Sequence, residues 1–166
     1  MRSPRVLVQE EDFSVDACLD QLRRLESGDW NRQVGALASF VGTVRERNNG
    51  DAVSELTLEH YPGMTEQSIE RIIQQAEGRW PIYSALVIHR IGTLAPADQI
   101  VFVGVSSAHR EAALEACAFI MDFLKTEAPF WKREQTPDGA RWVDARDSDE
   151  QAKRRWIQAQ ESPRGT

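Results

Sequence analysis

Apolar residues recur every three or four positions in four stretches of this chain, with shorter apolar runs and alternations between them. Behind Ser14, a good N-cap, Val15, Cys18, Leu19, Leu22 and Leu25 share one helical face and predict a helix through about Leu25. Ile69, Ile72, Ile73 and Ala76 do the same for Thr65–Arg79, and Trp80-Pro81 ends that helix because proline cannot donate the next hydrogen bond. The longest stretch starts at Ser107 or Ala108 and runs to Thr126, with Ala113, Cys117, Ile120, Met121 and Leu124 turned inward. A final helix is expected from Ser148 to about Gln158, followed by a disordered tail over 159–166.

Strands are expected at Arg5–Gln9, Val34–Arg45, Val53–Tyr61, Ser84–Ile91, Gln99–Val105, Phe130–Glu134 and Arg141–Val143. Val34–Arg45 is apolar on both faces and reads as a buried strand, whereas Leu56, Leu58 and His60 alternate with Glu55, Thr57 and Glu59. Between these two lies Asn48-Asn49-Gly50-Asp51, whose residues tolerate positive φ, so the pattern predicts that the two long strands form a hairpin with Arg45 near its end. Gly92–Asp98 reads as a connection and Pro137-Asp138-Gly139 as a turn. Helices and hairpins thus mix without a regular βα alternation, which defines an α+β class.

The chain has 166 residues, enough for one domain with a substantial core, and 1–158 is expected to form it. A net charge of −6 argues against a nucleic-acid or membrane-surface binder, since both need a basic face. Met1-Arg2-Ser3-Pro4-Arg5 lacks the apolar run of a signal peptide, and no apolar stretch approaches the roughly 20 residues that span a bilayer, so a cytoplasmic protein is expected. Cys18 and Cys117, each on an apolar helical stripe, read as reduced core thiols. His60, His89 and His109 are scattered, so no metal site is expected. Neither GxGxxG nor GxxxxGK occurs, which counts against a nucleotide-dependent kinase or dehydrogenase.

Against this acidic background one basic stretch changes the picture. Lys125 and Lys132 flank Pro129, Phe130 and Trp131, and His109-Arg110 stand near the start of the helix that ends at Lys125. A helix N-terminus attracts anions, so His109 and Arg110 form a candidate phosphate seat. Lys125 in a last turn also suits the helix dipole without any chemistry. Crowded positive charge around Lys132 would favour a neutral amine, able to act as a base or nucleophile. Arg45 could add positive charge to the same pocket, Glu134 could orient a lysine, and Arg146 could bind an acidic group. Each of these residues also has an ordinary solvated reading.

The segments FVGTVRERNNGD (40–51), LTLEHYPGMTE (56–66), VIHRIGTLAPAD (87–98), VFVGVSSAHREAALEACAFIMDFLKTEAPFWKRE (101–134) and RWVDAR (141–146) closely resemble the catalytic (large) subunits of molybdopterin synthase, the MoaE family. The resemblance spans about Val6 to Trp156 and implies an α/β-hammerhead fold. It implies an enzyme of molybdenum cofactor biosynthesis that converts cyclic pyranopterin monophosphate to molybdopterin. The two sulfurs would come from the C-terminal Gly-Gly thiocarboxylate of a small ubiquitin-like partner, with two large subunits forming a homodimer inside a heterotetramer. Carried over by motif, Lys125 and Lys132 match the essential lysines, His109 and Arg110 the substrate-binding pair, and Arg45 a further anion-binding arginine. Phe40, Met121, Glu134 and Arg146 match positions near the site. The partner supplies the sulfur, so no cofactor is expected on this chain.

Two other classes compete. A non-catalytic module could bind a ubiquitin-like protein or a phosphorylated ligand, which the lysine pair disfavours. A phosphoester hydrolase would need a metal or an activated nucleophile that the sequence does not offer.

Overall fold

Two apolar strands of nine residues, β6 (Ile82–Arg90) and β8 (Gln99–Ser107), run antiparallel at the centre of the fold. The computed structural model describes residues 4–143 and 147–161. β1 (Val6–Gln9) adds parallel to β6 and β2 (Ala36–Thr43) antiparallel to β8, giving a first sheet ordered β1-β6-β8-β2. Helices cover both faces of the central pair. α1 (Val15–Leu22) lays Cys18 and Leu22 on Leu86, Ile88 and Phe102. On the opposite face α2 (Met64–Arg79) and α3 (Arg110–Glu127) pack Ile69, Ile73, Phe119 and Ile120 against Val87, Val103 and Val105. Burial on both sides is why β6 and β8 read as nearly continuous apolar runs rather than alternations.

The second sheet is one-sided. β5 (Glu55–His60) lies between β7 (Gly92–Leu94) and β9 (Phe130–Thr136), and β10 (Gly139–Val143) closes the order β10-β9-β5-β7. Leu56, Leu58 and Leu94 join Val44 in a small core on one face, while Trp131 and Trp142 stay exposed. That one-sidedness is the origin of the apolar–polar alternation along β5. α4 (Asp147–Glu161) docks on α3 through Trp156, whose ring meets Trp80 and Phe119 at 5.5 and 5.6 Å and whose Nε1 donates to Asp122 Oδ2 at 2.7 Å.

The α+β class and all four helices stand as the pattern predicts, and five expectations need correction. The long hairpin does not form. Asn49 (φ 52°) and Gly50 (φ 87°) do make a tight turn, but it joins only β3 (Arg47–Asn48) and β4 (Asp51–Ala52). Turn chemistry fixes the few residues beside it. The long partners were decided elsewhere, by β8 for β2 and by β7 and β9 for β5. β2 is likewise an edge strand rather than a buried one, with Leu37 and Phe40 36% and 39% exposed.

α1 stops at Leu22 with Arg23 as its C-cap, because the chain turns through Gly28 (φ 90°) and Arg24 bridges to Trp30, leaving Leu25 exposed. α4 continues to Glu161, three residues past its expected end, while residues 162–166 lie outside the described residues. β7 falls within what the sequence offered only as a connection.

Candidate active site

Pro129 does the first piece of work in building the site. The residue before a proline is pushed out of the helical region, and Ala128 accordingly caps α3 at φ −81°, ψ 125°. The chain turns at once into β9, so Lys125 in the last turn of α3 and Lys132 on β9 face the same cleft of about 430 Å³. Period-two geometry on β9 sends Phe130, Lys132 and Glu134 into that cleft, while Trp131 and Arg133 take the other face. The positive charge beside Lys132 in the cleft comes from Lys125 and Arg45 rather than from its chain neighbour Arg133. Arg45 enters from the segment after β2, and Phe40 and Met121 supply apolar wall. Six of the nine residues singled out in the sequence thus line one cleft: Lys125, Lys132, Arg45, Phe40, Met121 and Glu134.

His109 and Arg110 do not join them within one chain. His109 is the N-cap of α3 and Arg110 its first residue, both exposed. At 1.5 Å per residue, the 15 steps from Arg110 to Lys125 put the pair about 22 Å from the lysine. Arg146 lies outside the described residues. Glu134 is 6% exposed, and its carboxylate accepts from Asn48 Nδ2 at 2.6 Å and from Arg141 Nε and Nη2 at 3.2 and 3.1 Å. The cation it orients is thus Arg141, which the sequence reading passed over.

Asn48 and His89 are among the cleft residues that the sequence reading did not single out. Asn48 looked like a turn residue, yet it is buried and faces the cleft. His89 sits in an otherwise apolar strand, a signal that could have found it. Its ring stacks on Phe130 with centroids 3.8 Å apart, and its Nδ1 lies 2.8 Å from the Arg90 carbonyl oxygen, so Nδ1 carries the proton in the neutral ring. Burial, reinforced by Lys132, His60 and Lys125, pushes its pKa down to about 4.

A histidine pKa lowered on folding means that the unfolded chain takes the proton first as pH falls. Stability from this source is complete above about pH 6.5 and is lost between there and pH 4. His89→Gln should flatten that loss by up to about 3 kcal/mol. Urea midpoints at pH 7 and pH 4.5 test it, and an unchanged acid slope in the variant would refute it.

Cys18 and Cys117 are buried away from the cleft, and burial raises both thiols, Cys117 to about 11. Among the described residues no three His, Cys, Asp or Glu side chains group as metal ligands, and no helix is long and apolar enough to cross a membrane. A wider depression near Arg5 and Tyr83, of about 640 Å³, mixes both charge signs and gathers none of the candidate residues.

Fold and cleft together define an α+β protein whose cleft is lined by two lysines and an arginine from three separate segments. The comparisons agree on a family. Residues 8–127 match the MoaE protein family. The molybdopterin synthase catalytic subunit of Escherichia coli is 62% identical over 156 residues, covering 94% of this chain and 100% of that one. The solved MoaE protein of Burkholderia ambifaria superposes with a TM-score of 0.78 at 48% identity, over 93% of this chain and 99% of that one. A Helicobacter pylori structure described as a complex of subunits 1 and 2 of molybdopterin-converting factor shares the fold at 17% identity and a TM-score of 0.68, over 86% and 92% of the two chains. This chain belongs to the MoaE family, the catalytic subunits of molybdopterin synthase.

Proposed function

We propose that the cleft converts cyclic pyranopterin monophosphate to molybdopterin, using sulfur delivered as the C-terminal thiocarboxylate of a small ubiquitin-like partner. The observation that carries this reading is the convergence of Lys125, Lys132 and Arg45 on one cleft of a size suited to a small ligand. Both the substrate phosphate and the thiocarboxylate are anions, and both are drawn to these cations. The thiocarboxylate sulfur attacks the substrate carbon beside the phosphate ester, forming a C–S bond and a thioester to the partner as a C–O bond at that carbon breaks. Two such transfers, each from its own thiocarboxylate, replace two C–O bonds, with one oxygen leaving as the ring-opened phosphate and the other as water. Lys125 positions the tail carbonyl and stabilises its oxyanion. Lys132 assists opening of the cyclic phosphate and the hydrolysis that frees the partner as a carboxylate, leaving sulfur on the pterin. The chain works in the cytoplasm and needs no metal or cofactor of its own.

His109 and Arg110 enter this scheme through a second copy. β2 is a free edge with exposed Leu37 and Phe40, a surface that native proteins normally cover. Its Ala36 end lies beside Ser107, close to the start of α3, and its Thr43 end leads to Arg45 and the cleft. Antiparallel pairing of two β2 strands about a twofold axis brings the His109-Arg110 end of one copy to the cleft end of the other. Mixing Lys125→Ala chains with Arg110→Ala chains then yields mixed dimers with one intact site. About a quarter of wild-type activity should return, since half of randomly paired dimers are mixed. No recovery after verified subunit exchange would refute the shared site.

The reading as a whole is tested by combining the purified chain with cyclic pyranopterin monophosphate and thiocarboxylated partner and following molybdopterin as its fluorescent oxidation product. Product that depends on both Lys125 and the thiocarboxylate supports it. Partner binding without product, in an assay that a known synthase passes, would instead leave a non-catalytic binding module.

A further inference from the structure

The arm that carries Arg45 is gripped from behind by a polar relay. β3 and β4 pair through two residues each, too few contacts to hold an orientation unaided. Val44 and Val53 bury the base of the arm. Its far end is held by Arg141 of β10. Arg141 Nη1 donates to Asp51 Oδ2 at 2.7 Å, Nη2 donates to the Asn48 carbonyl at 3.3 Å, and Nε and Nη2 both reach Glu134 Oε2. The other Glu134 oxygen accepts from Asn48 Nδ2 at 2.6 Å, and Asn48 Oδ1 in turn accepts from Arg45 Nη2 at 3.5 Å. Glu134 and Asn48 are 6% and 8% exposed, so neither can exchange these partners for bulk water at little cost. Arg141 itself does not line the cleft, whereas Arg45, Asn48 and Glu134 do.

We infer that Arg141 is a positioning residue: acting through Glu134 and Asn48 it fixes the 45–53 arm and so aims Arg45 at the phosphate of the substrate. This rests on the reading of the cleft as the substrate site. Substrate affinity is what such a relay governs. Lys125 is set by α3 and Lys132 by the pairing of β9 with β5, neither of which depends on the arm.

The test is steady-state kinetics with the complete partner-dependent system. Losing the charged hydrogen bonds in Arg141→Gln should raise KM for the cyclic substrate about tenfold, with kcat within about threefold of wild type. Arg141→Lys, which keeps the charge and loses the fork, should fall between the two. In an Arg45→Ala background, Arg141→Gln should change KM by less than about twofold, because the group it aims is gone. Should Arg141→Gln fail to fold, the same comparison is made with Arg141→Lys and with Asp51→Asn, which removes only an exposed tie.

A second readout needs no turnover. In the ¹⁵N-labelled chain alone, the Arg45 Nε–H resonance should be rigid in wild type and motionally averaged in the Arg141 variant. An unchanged KM, fully multiplicative effects of the Arg45 and Arg141 changes, or an unchanged Arg45 resonance would overturn the relay. Absence of product from wild type would instead strike the proposed function, and the resonance would still decide the relay.

Discussion

Replacing Lys125 with alanine should slow molybdopterin formation by about 10²–10³-fold, the loss seen when one preorganised donor to a developing oxyanion is removed. The side chain sits in the last turn of α3 and opens on the cleft, so its removal leaves no cavity in the core. Thermal stability should therefore change little and partner binding should persist, which separates a chemical role from a structural one. Single-turnover formation of product with saturating thiocarboxylated partner is the measurement. Activity within a few-fold of wild type would remove Lys125 from the mechanism and leave Lys132 as the only lysine facing the cleft among the described residues.

The largest expected effect on stability lies at Phe119. Its ring is 1% exposed and meets Trp80 at 5.3 Å, Phe123 at 4.4 Å and Trp156 at 5.6 Å, with the Arg79 guanidinium 4.7 Å from its centroid. One side chain thereby ties α2, α3 and α4 together. Phe119→Ala should cost about 3–5 kcal/mol, combining lost transfer energy with the cavity left behind. For a chain of this length that corresponds to a fall in Tm of roughly 10 °C. The near-ultraviolet dichroism of Trp80 and Trp156 should weaken, and α4 should become sensitive to protease before global unfolding. A loss below about 1 kcal/mol would mean that the cluster can collapse onto the gap.

The sequence carried the helices because their apolar spacing is local. Ile69, Ile72, Ile73 and Ala76 identify their own face without reference to any other segment. Strand pairing is a long-range choice, and there the reading failed. Asn49-Gly50 makes a hairpin turn under any partnering, so it could not reveal that β2 belongs to β8 and β5 to β9. The site divided along the same line. Lys125 and Lys132 were legible together because they lie seven positions apart around a proline, whereas the distance from His109 and Arg110 to Lys125 follows from helix length. The role of Glu134 stayed hidden because its partners, Asn48 and Arg141, lie 86 residues before it and seven after it. His89 was passed over as one of three scattered histidines, since only the stacked Phe130 ring and the nearby lysines give it meaning.

α3 has the character of a gauge block. It bears a cleft lysine at one end and the His109-Arg110 pair at the other, and its 18 residues set both the span and the relative angle between them. One residue inserted on an outward face would lengthen the helix by about 1.5 Å and rotate everything beyond it by about 100°. That rotation would swing Lys125 away from Lys132 and at the same time turn Ile120 and Leu124 off the core. The length of this helix is thus as much a part of the proposed chemistry as the side chains at its ends.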